Sequence, residues 1–151
     1  MGEIITILLA AAPISEIRGA LPVGIGVFNL HWFWAYCLGV LGNMLPVIPL
    51  LYFWKYLSKI LMDRSVSINN FFTWLFERTR TRYEKRIRCW GALGLFFFVA
   101  VPLPITGAWT ATVAAFIFGI AFSRAFFSIL LGVLTAGLIV LFLTYGFIFL
   151  V

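Results

Sequence analysis

Charge-free hydrophobic stretches alternate along this chain with short Pro/Gly clusters, and the length of each stretch decides what it can do. Trp34 to Trp54 and Ala125 to Val151 contain no Asp, Glu, Lys or Arg. Each exceeds the roughly 20 residues that a helix needs to cross a hydrocarbon core about 30 Å thick. Both are expected to be transmembrane helices, the first kinked at Pro46 and Pro49, which remove intrahelical hydrogen bonds. Ile4 to Ala12 is shorter: its nine residues rise only about 13 Å as a helix, at about 1.5 Å per residue. It stops at Pro13, and Pro22 follows after Gly19. Proline disfavours helix at the preceding residue, so Ala12 and Leu21 are expected to be extended. Beyond Pro22 the chain is apolar again to Asn29, then meets His31-Trp32-Phe33-Trp34, an aromatic interface belt. Down, broken and back on the same side is a re-entrant hairpin.

The pattern recurs. Cys89 to Ser123 is 35 residues without charge, interrupted by Pro102, Pro104 and Gly107. Two half-helices, near 90–101 and 108–120, are expected in place of one crossing. Short matches connect the halves: Arg18-Gly19-Ala20 with Thr106-Gly107-Ala108 (106 − 18 = 88), and Gly39-Val40-Leu41 with Gly132-Val133-Leu134 (132 − 39 = 93). Paired Gly/Pro-broken segments at corresponding places in two halves are the sequence signature of inverted-repeat transporters.

Composition and charge settle class and orientation. The chain is 64% hydrophobic and only 11% charged, against about 25% charged in soluble domains. It is expected to be one membrane domain over residues 1–151: a first repeat (1–57), a basic cytoplasmic segment (58–88) and a second repeat (89–151). Lys55 to Arg88 holds nine Lys/Arg and three acids, 9 − 3 = +6, the whole net charge of the chain. Positive charge on a short loop stays inside, so residues 55–88 are placed in the cytoplasm and both termini outside. From Ser67, apolar residues including Phe71, Phe72, Leu75 and Phe76 stand beside Arg80, Glu84 and Arg88. An aromatic face beside a basic one suits a helix lying on anionic lipids. The basic run serves topology, and no nucleic-acid partner is expected. The N-terminal region carries Glu3 and lacks positive charge, unlike a signal peptide. Cys37 and Cys89 are expected on opposite sides of the membrane, and His31 is read as an interfacial residue. No metal or cofactor is expected.

Chemistry concentrates at the breaks. Glu16 and Arg18 are the only charges between Glu3 and Lys55, and an ionisable residue at membrane depth is a functional-site candidate. Extended backbone puts positions i and i+2 on one side, which would pair the carboxylate with the guanidinium. A shallow surface ion pair is the alternative. If the pair is deep, Glu16 suits proton coupling and Arg18 suits an oxyanion. Across from them, Thr106, Thr110 and Thr112 offer hydroxyls, Gly107 lets backbone approach, and a half-helix starting near Ala108 points its positive end inward. Trp109 either stacks on substrate or packs. Asn43, mid-span, either satisfies a freed carbonyl or contacts substrate. No Ser/His/Asp set, two-carboxylate site or phosphate loop stands out, so an enzyme is not expected.

Ile14 to Pro22 followed by Pro102 to Thr110 resembles the two signature segments of the small multi-drug export family, over nearly the whole chain. The family is also distantly similar to DedA-like membrane proteins, which pair re-entrant hairpins and include translocases of polyprenyl-phosphate lipids. The resemblance implies an exporter of small amphiphiles with Glu16 and Arg18 on one hairpin and Pro104, Thr106, Gly107 and Trp109 on the other. A second intramembrane arginine, expected of a DedA-like site, is missing unless Arg124 serves. Two spans and two hairpins enclose little polar space, so a homodimer or larger assembly is expected.

Overall fold

The structure, a computed structural model, describes residues 1–64, 70, 73–74, 84–101 and 106–150. Among the described residues the regular structure is all α-helical: α1 (Gly2–Ala11), α2 (Glu16–Gly26), α3 (Trp32–Met44), α4 (Val47–Arg64), α5 (Glu84–Ala100), α6 (Ala108–Ile117) and α7 (Phe122–Leu150). Most of the expected amphipathic segment, with Ser67, lies outside the described residues, as do Pro102 and Pro104.

The first break is narrower than the prolines predict. Ala12 before Pro13 is extended (φ −72°, ψ 139°), as expected. Helix resumes at Glu16, however, and runs through Gly19, Leu21 and Pro22 to Gly26. Gly19 and Pro22 are therefore helix-interior residues and not hairpin breaks. Pro22 is the seventh residue of α2, so the one hydrogen bond it forgoes is to the Arg18 carbonyl, i−4. Tertiary packing of Ala20, Leu21 and Gly24, all buried, outweighs that loss. The first span is interrupted at Pro46 as expected, but not at Pro49. Helix α3 gives way to α4 at Leu45-Pro46, while Leu45 N–H to Leu41 O and Leu50 N–H to Pro46 O, both 3.0 Å, carry the helix through the kink. Pro49 fits the first turn of α4, where no N–H is needed.

Small residues fix how the helices run. Gly24 of α2 lies against Thr6 of α1, where a Cβ would stand 3.1 Å from the threonine hydroxyl, so α1 and α2 form an antiparallel pair. Neither reaches far: their 10 and 11 residues span about 15–16 Å. Helix α3 then runs beside α1 in the same direction, with Gly2 against Phe28 at one end and Gly42 against Ile7 and Ala10 at the other. In the second half, α6 returns against α5, and α7 runs beside α5 in the same direction. Gly91 meets Ile120 at the start, and Gly132 meets Phe96 and Val99 further along. The halves run oppositely, because Tyr36 of α3 donates to the Leu134 carbonyl (2.9 Å) while Tyr52 of α4 packs against Phe122 (4.7 Å). Going up α3–α4 is going down α7.

Helix α7 shows what surrounds the molecule. Ala125, Ile129, Val133, Ala136 and Val140 form its buried stripe, yet Phe127, Leu131, Phe142 and Phe147 on other faces are exposed. A helix that is apolar all round has an apolar environment on its outside. Trp32–Leu57 and Phe122–Phe147 are each 26 residues and long and apolar enough to cross a bilayer.

Gly42 is among the tightest of these helix contacts: a Cβ there would sit 2.6 Å from the Ile7 carbonyl oxygen and 2.8 Å from the Ala10 Cβ. Gly42→Ala is expected to cost about 1–3 kcal/mol by overpacking, read as a lower unfolding midpoint in detergent. Gly94 of α5 has nothing within 4 Å, so Gly94→Ala is expected to stabilise by up to about 1 kcal/mol through helix propensity.

Candidate functional site

The two breaks meet. Glu16 opens α2 with φ 47°, a left-handed conformation that costs a non-glycine residue roughly 1–2 kcal/mol. Its side chain is 7% exposed, and its carboxylate accepts hydrogen bonds from the backbone N–H groups of Ala108 and Trp109. Those are the first two amides of α6, which have no partner inside their own helix. An anion at a helix N-terminus is favoured by both the free donors and the macrodipole. The carboxylate thus does from across the molecule what an N-cap side chain usually does locally.

Gly107 makes the approach possible. Its backbone is extended (φ −175°), a conformation open to any residue, so conformational freedom is not the reason for glycine here. A Cβ at this position would overlap both carboxylate oxygens of Glu16. Thr110 closes the turn by accepting a hydrogen bond from the Gly107 N–H (3.1 Å) and donating to the Gly107 carbonyl (3.2 Å).

Arg18 serves the other side of the same break. Its Nη2 donates to the Thr106 carbonyl, to the Thr106 hydroxyl at 3.3 Å and to the Val101 carbonyl at 3.5 Å. The Thr106 hydroxyl in turn donates to Val101 O at 2.9 Å. Val101 follows the last residue of α5, so the guanidinium stands at the negative end of that helix, where a cation is favoured. Glu16, with its left-handed backbone, and Arg18, two residues on in α2, reach different partners. The extended backbone expected from the prolines is absent, and the divergence is what lets one residue serve α6 and the other α5. Trp109 closes the loop of contacts: its indole N–H donates to the Ala11 carbonyl (3.1 Å), the last residue of α1.

Glu16, Arg18, Thr106, Gly107, Trp109 and Thr110 therefore assemble at one place, although 88 residues separate Arg18 from Thr106. Thr112 points elsewhere, accepting a hydrogen bond from the Trp54 indole at 3.3 Å. Asn43 is 1% exposed, and its Oδ1 meets no donor. Ala35 lies opposite Gly24 and Gly39 opposite Ile17, so Asn43, one turn further along α3, stands level with the break between α1 and α2. The carbonyls of Ala11 and Val101 escape prediction, because backbone groups leave no mark in residue identity, whereas the positive end of a half-helix near Ala108 is expected from the sequence. Only the need of a half-buried Trp109 for an acceptor hints at one of those carbonyls.

Among the described residues no three His, Cys, Asp or Glu side chains gather closely enough to hold a metal ion. His31 instead caps α3, its Nδ1 accepting from the Phe33 N–H at 3.4 Å. No curated protein and no solved structure matches the chain. The family described as "putative small multi-drug export protein" matches residues 16–139, a stretch that begins at Glu16 and contains both breaks. By that match over most of its length, this helical membrane chain belongs to the small multi-drug export family.

Proposed function

We propose that the chain exports a small amphiphilic substrate across the cytoplasmic membrane, and that the contact between the two breaks is its gate. In this reading α1–α2 and α5–α6 are re-entrant hairpins of two inverted repeats. The positive-inside pattern puts residues 55–88 in the cytoplasm and both termini outside. The repeat reading is supported by equivalent packing: Gly42 meets Ile7 and Ala10 as Gly132 meets Phe96 and Val99, with offsets of 90, 89 and 89. The opposite run of the two halves supports the inversion. Two spans enclose little polar volume, so the working unit is a homodimer or larger.

The observation that carries the gate is the seat of Glu16 on the Ala108 and Trp109 amides against Gly107. An ionised carboxylate holds the breaks together, since charge-assisted hydrogen bonds are roughly twice as strong as neutral ones. A proton on Glu16 removes that charge, weakens the seat and lets the tips part around substrate. Proton movement and substrate movement are thereby coupled through one side chain. Proteoliposomes loaded with a fluorescent amphiphile test this. Glu16→Gln is expected to abolish the dependence of efflux on a pH gradient, at least tenfold at the optimum. Wild-type pH dependence in this variant would sink the coupling.

Two other readings have observations behind them. Because each charge already satisfies a helix end, the hairpins also suit a purely structural or lipid-organising membrane protein. Transport indistinguishable from empty vesicles, with the contacts intact, would favour it. In a DedA-like reading, Arg18 holds the phosphate of a polyprenyl lipid. Its position at the meeting of two breaks supports this, and a phosphate would have to displace the carbonyls of Thr106 and Val101.

A further inference from the structure

A second concavity lies at the far end of α6 from the breaks. It has a volume of about 350 Å³ and is lined by Leu51, Trp54 and Lys55 of α4 and by Phe116, Ile120 and Phe122 around the α6–α7 turn. That volume is near the lower end of the roughly 300–1,000 Å³ typical of small-molecule sites. It suits one short chain or a small ring system, and a two-chain lipid is too large.

The walls are held in place before anything binds. The Trp54 indole N–H is committed to the Thr112 hydroxyl (3.3 Å), and its ring stacks on Phe116 at 5.8 Å and 24°. Tyr52 packs on Phe122 (4.7 Å). Walls that need no ordering leave more of the contact energy for the ligand. The turn beside them is also closed. Phe118, Gly119 and Ile120 donate their N–H groups to the carbonyls of Ala114, Phe116 and Ala115 at 2.9, 3.0 and 2.9 Å, and Gly119 takes the left-handed conformation (φ 62°) that this helix ending requires. The carbonyls of Ala114, Ala115 and Phe116 are thus occupied. Lys55 is the one charged residue in the lining, at the end of the uncharged run where the basic stretch begins.

We propose that this cavity binds a single-chain anionic amphiphile, its apolar body between Trp54, Phe116 and Phe122 and its carboxylate, sulfate or phosphate head on Lys55. The alternative role for Lys55 is only to complement the negative end of α6; it predicts no preference for ligand charge. The site is independent of the gate: it shares no residue with the Glu16 contact, and binding is read without transport.

The test is photolabelling in nanodiscs of phosphatidylcholine, using dodecanoate that carries a terminal diazirine. Labelled residues are mapped by peptide mass spectrometry. The label is expected on Trp54, Phe116 or Ile120. Unlabelled dodecanoate and dodecyl phosphate should compete at least tenfold better than dodecyltrimethylammonium. Ala121→Trp, at an exposed position of the lining, should fill the cavity and reduce labelling at least fivefold, and Lys55→Gln should remove the preference for anions. Equal competition by the cation overturns the proposal, as does unchanged labelling in Ala121→Trp. Competition by phosphatidylglycerol as strong as by dodecanoate would overturn the single-chain assignment.

Discussion

Gly107→Ala is expected to abolish export and to destabilise the protein by about 3–5 kcal/mol, although it adds one methyl group. The new Cβ would occupy the space of both Glu16 carboxylate oxygens. The carboxylate must leave its seat, which strips the first amides of α6 of their acceptor and leaves a buried charge without its donors. Separating a buried charge from its partners costs roughly 3–5 kcal/mol, far above the cost of a methyl group alone. The measurement is the unfolding midpoint in detergent together with flux in proteoliposomes. The decisive comparison is the double variant with Glu16→Ala. Removing the carboxylate makes room for the methyl group, so the second substitution should add little to the damage of the first. Two substitutions that share one contact are expected to be strongly non-additive. Additive losses would mean that Gly107 matters for some reason other than Glu16.

Arg18→Ala is expected to be the next most damaging change, costing about 2–3 kcal/mol, since hydrogen bonds from charged groups are worth roughly 1.5–3 kcal/mol. It leaves the Thr106 carbonyl and hydroxyl and the Val101 carbonyl without the guanidinium that joins them. Arg18→Lys should recover only part of the loss, because an ammonium on a flexible stem cannot reproduce the planar fork that reaches several acceptors together. The two variants also separate the functional readings. If Arg18 only secures the end of α5, binding of a phosphate-bearing lipid will be unaffected when Arg18→Lys is measured at a temperature where it is folded. If Arg18 holds the headgroup, lipid binding will fall with Arg18→Lys at unchanged stability. Thermal unfolding and lipid binding on the same preparations check both.

Together, these expectations describe a contact in which each charged side chain of one break completes a half-helix of the other. Half-helices at membrane depth carry a particular difficulty: their free amides and carbonyls cannot turn to water, and irregular backbone there survives only when protein or a wet cavity satisfies it. On the proposed hairpin reading, Glu16 and Arg18 supply that satisfaction for α6 and α5, and Trp109 supplies it for the end of α1. In the proposed gate, such contacts would hold the closed state, and one proton on Glu16 would cancel one of the two charges and open it.

What the sequence by itself determined is whatever depends on local chemistry. Charge-free length marks the spans, and the Trp32–Leu57 and Phe122–Phe147 helices cover the first of the charge-free runs and most of the second. Pro13 ended α1 where expected, because the steric restriction acts between neighbours. The residue types at the breaks were also visible, since an acid, an arginine and a Gly-Ala-Trp turn are conspicuous in an uncharged background. The limits of local reasoning appear at Pro22 and Gly19. Both favour a break by themselves, yet both lie inside α2, because burying Ala20, Leu21 and Gly24 against neighbouring helices outweighs one lost hydrogen bond. Tertiary structure alone decided that Glu16 reaches the amides of Ala108 and Trp109, that Arg18 reaches the carbonyls 83 and 88 residues away, and that Gly107 is glycine for the sake of a carboxylate. Backbone donors and acceptors are the same in every residue. Which amide meets which side chain is fixed only when packing brings distant segments together.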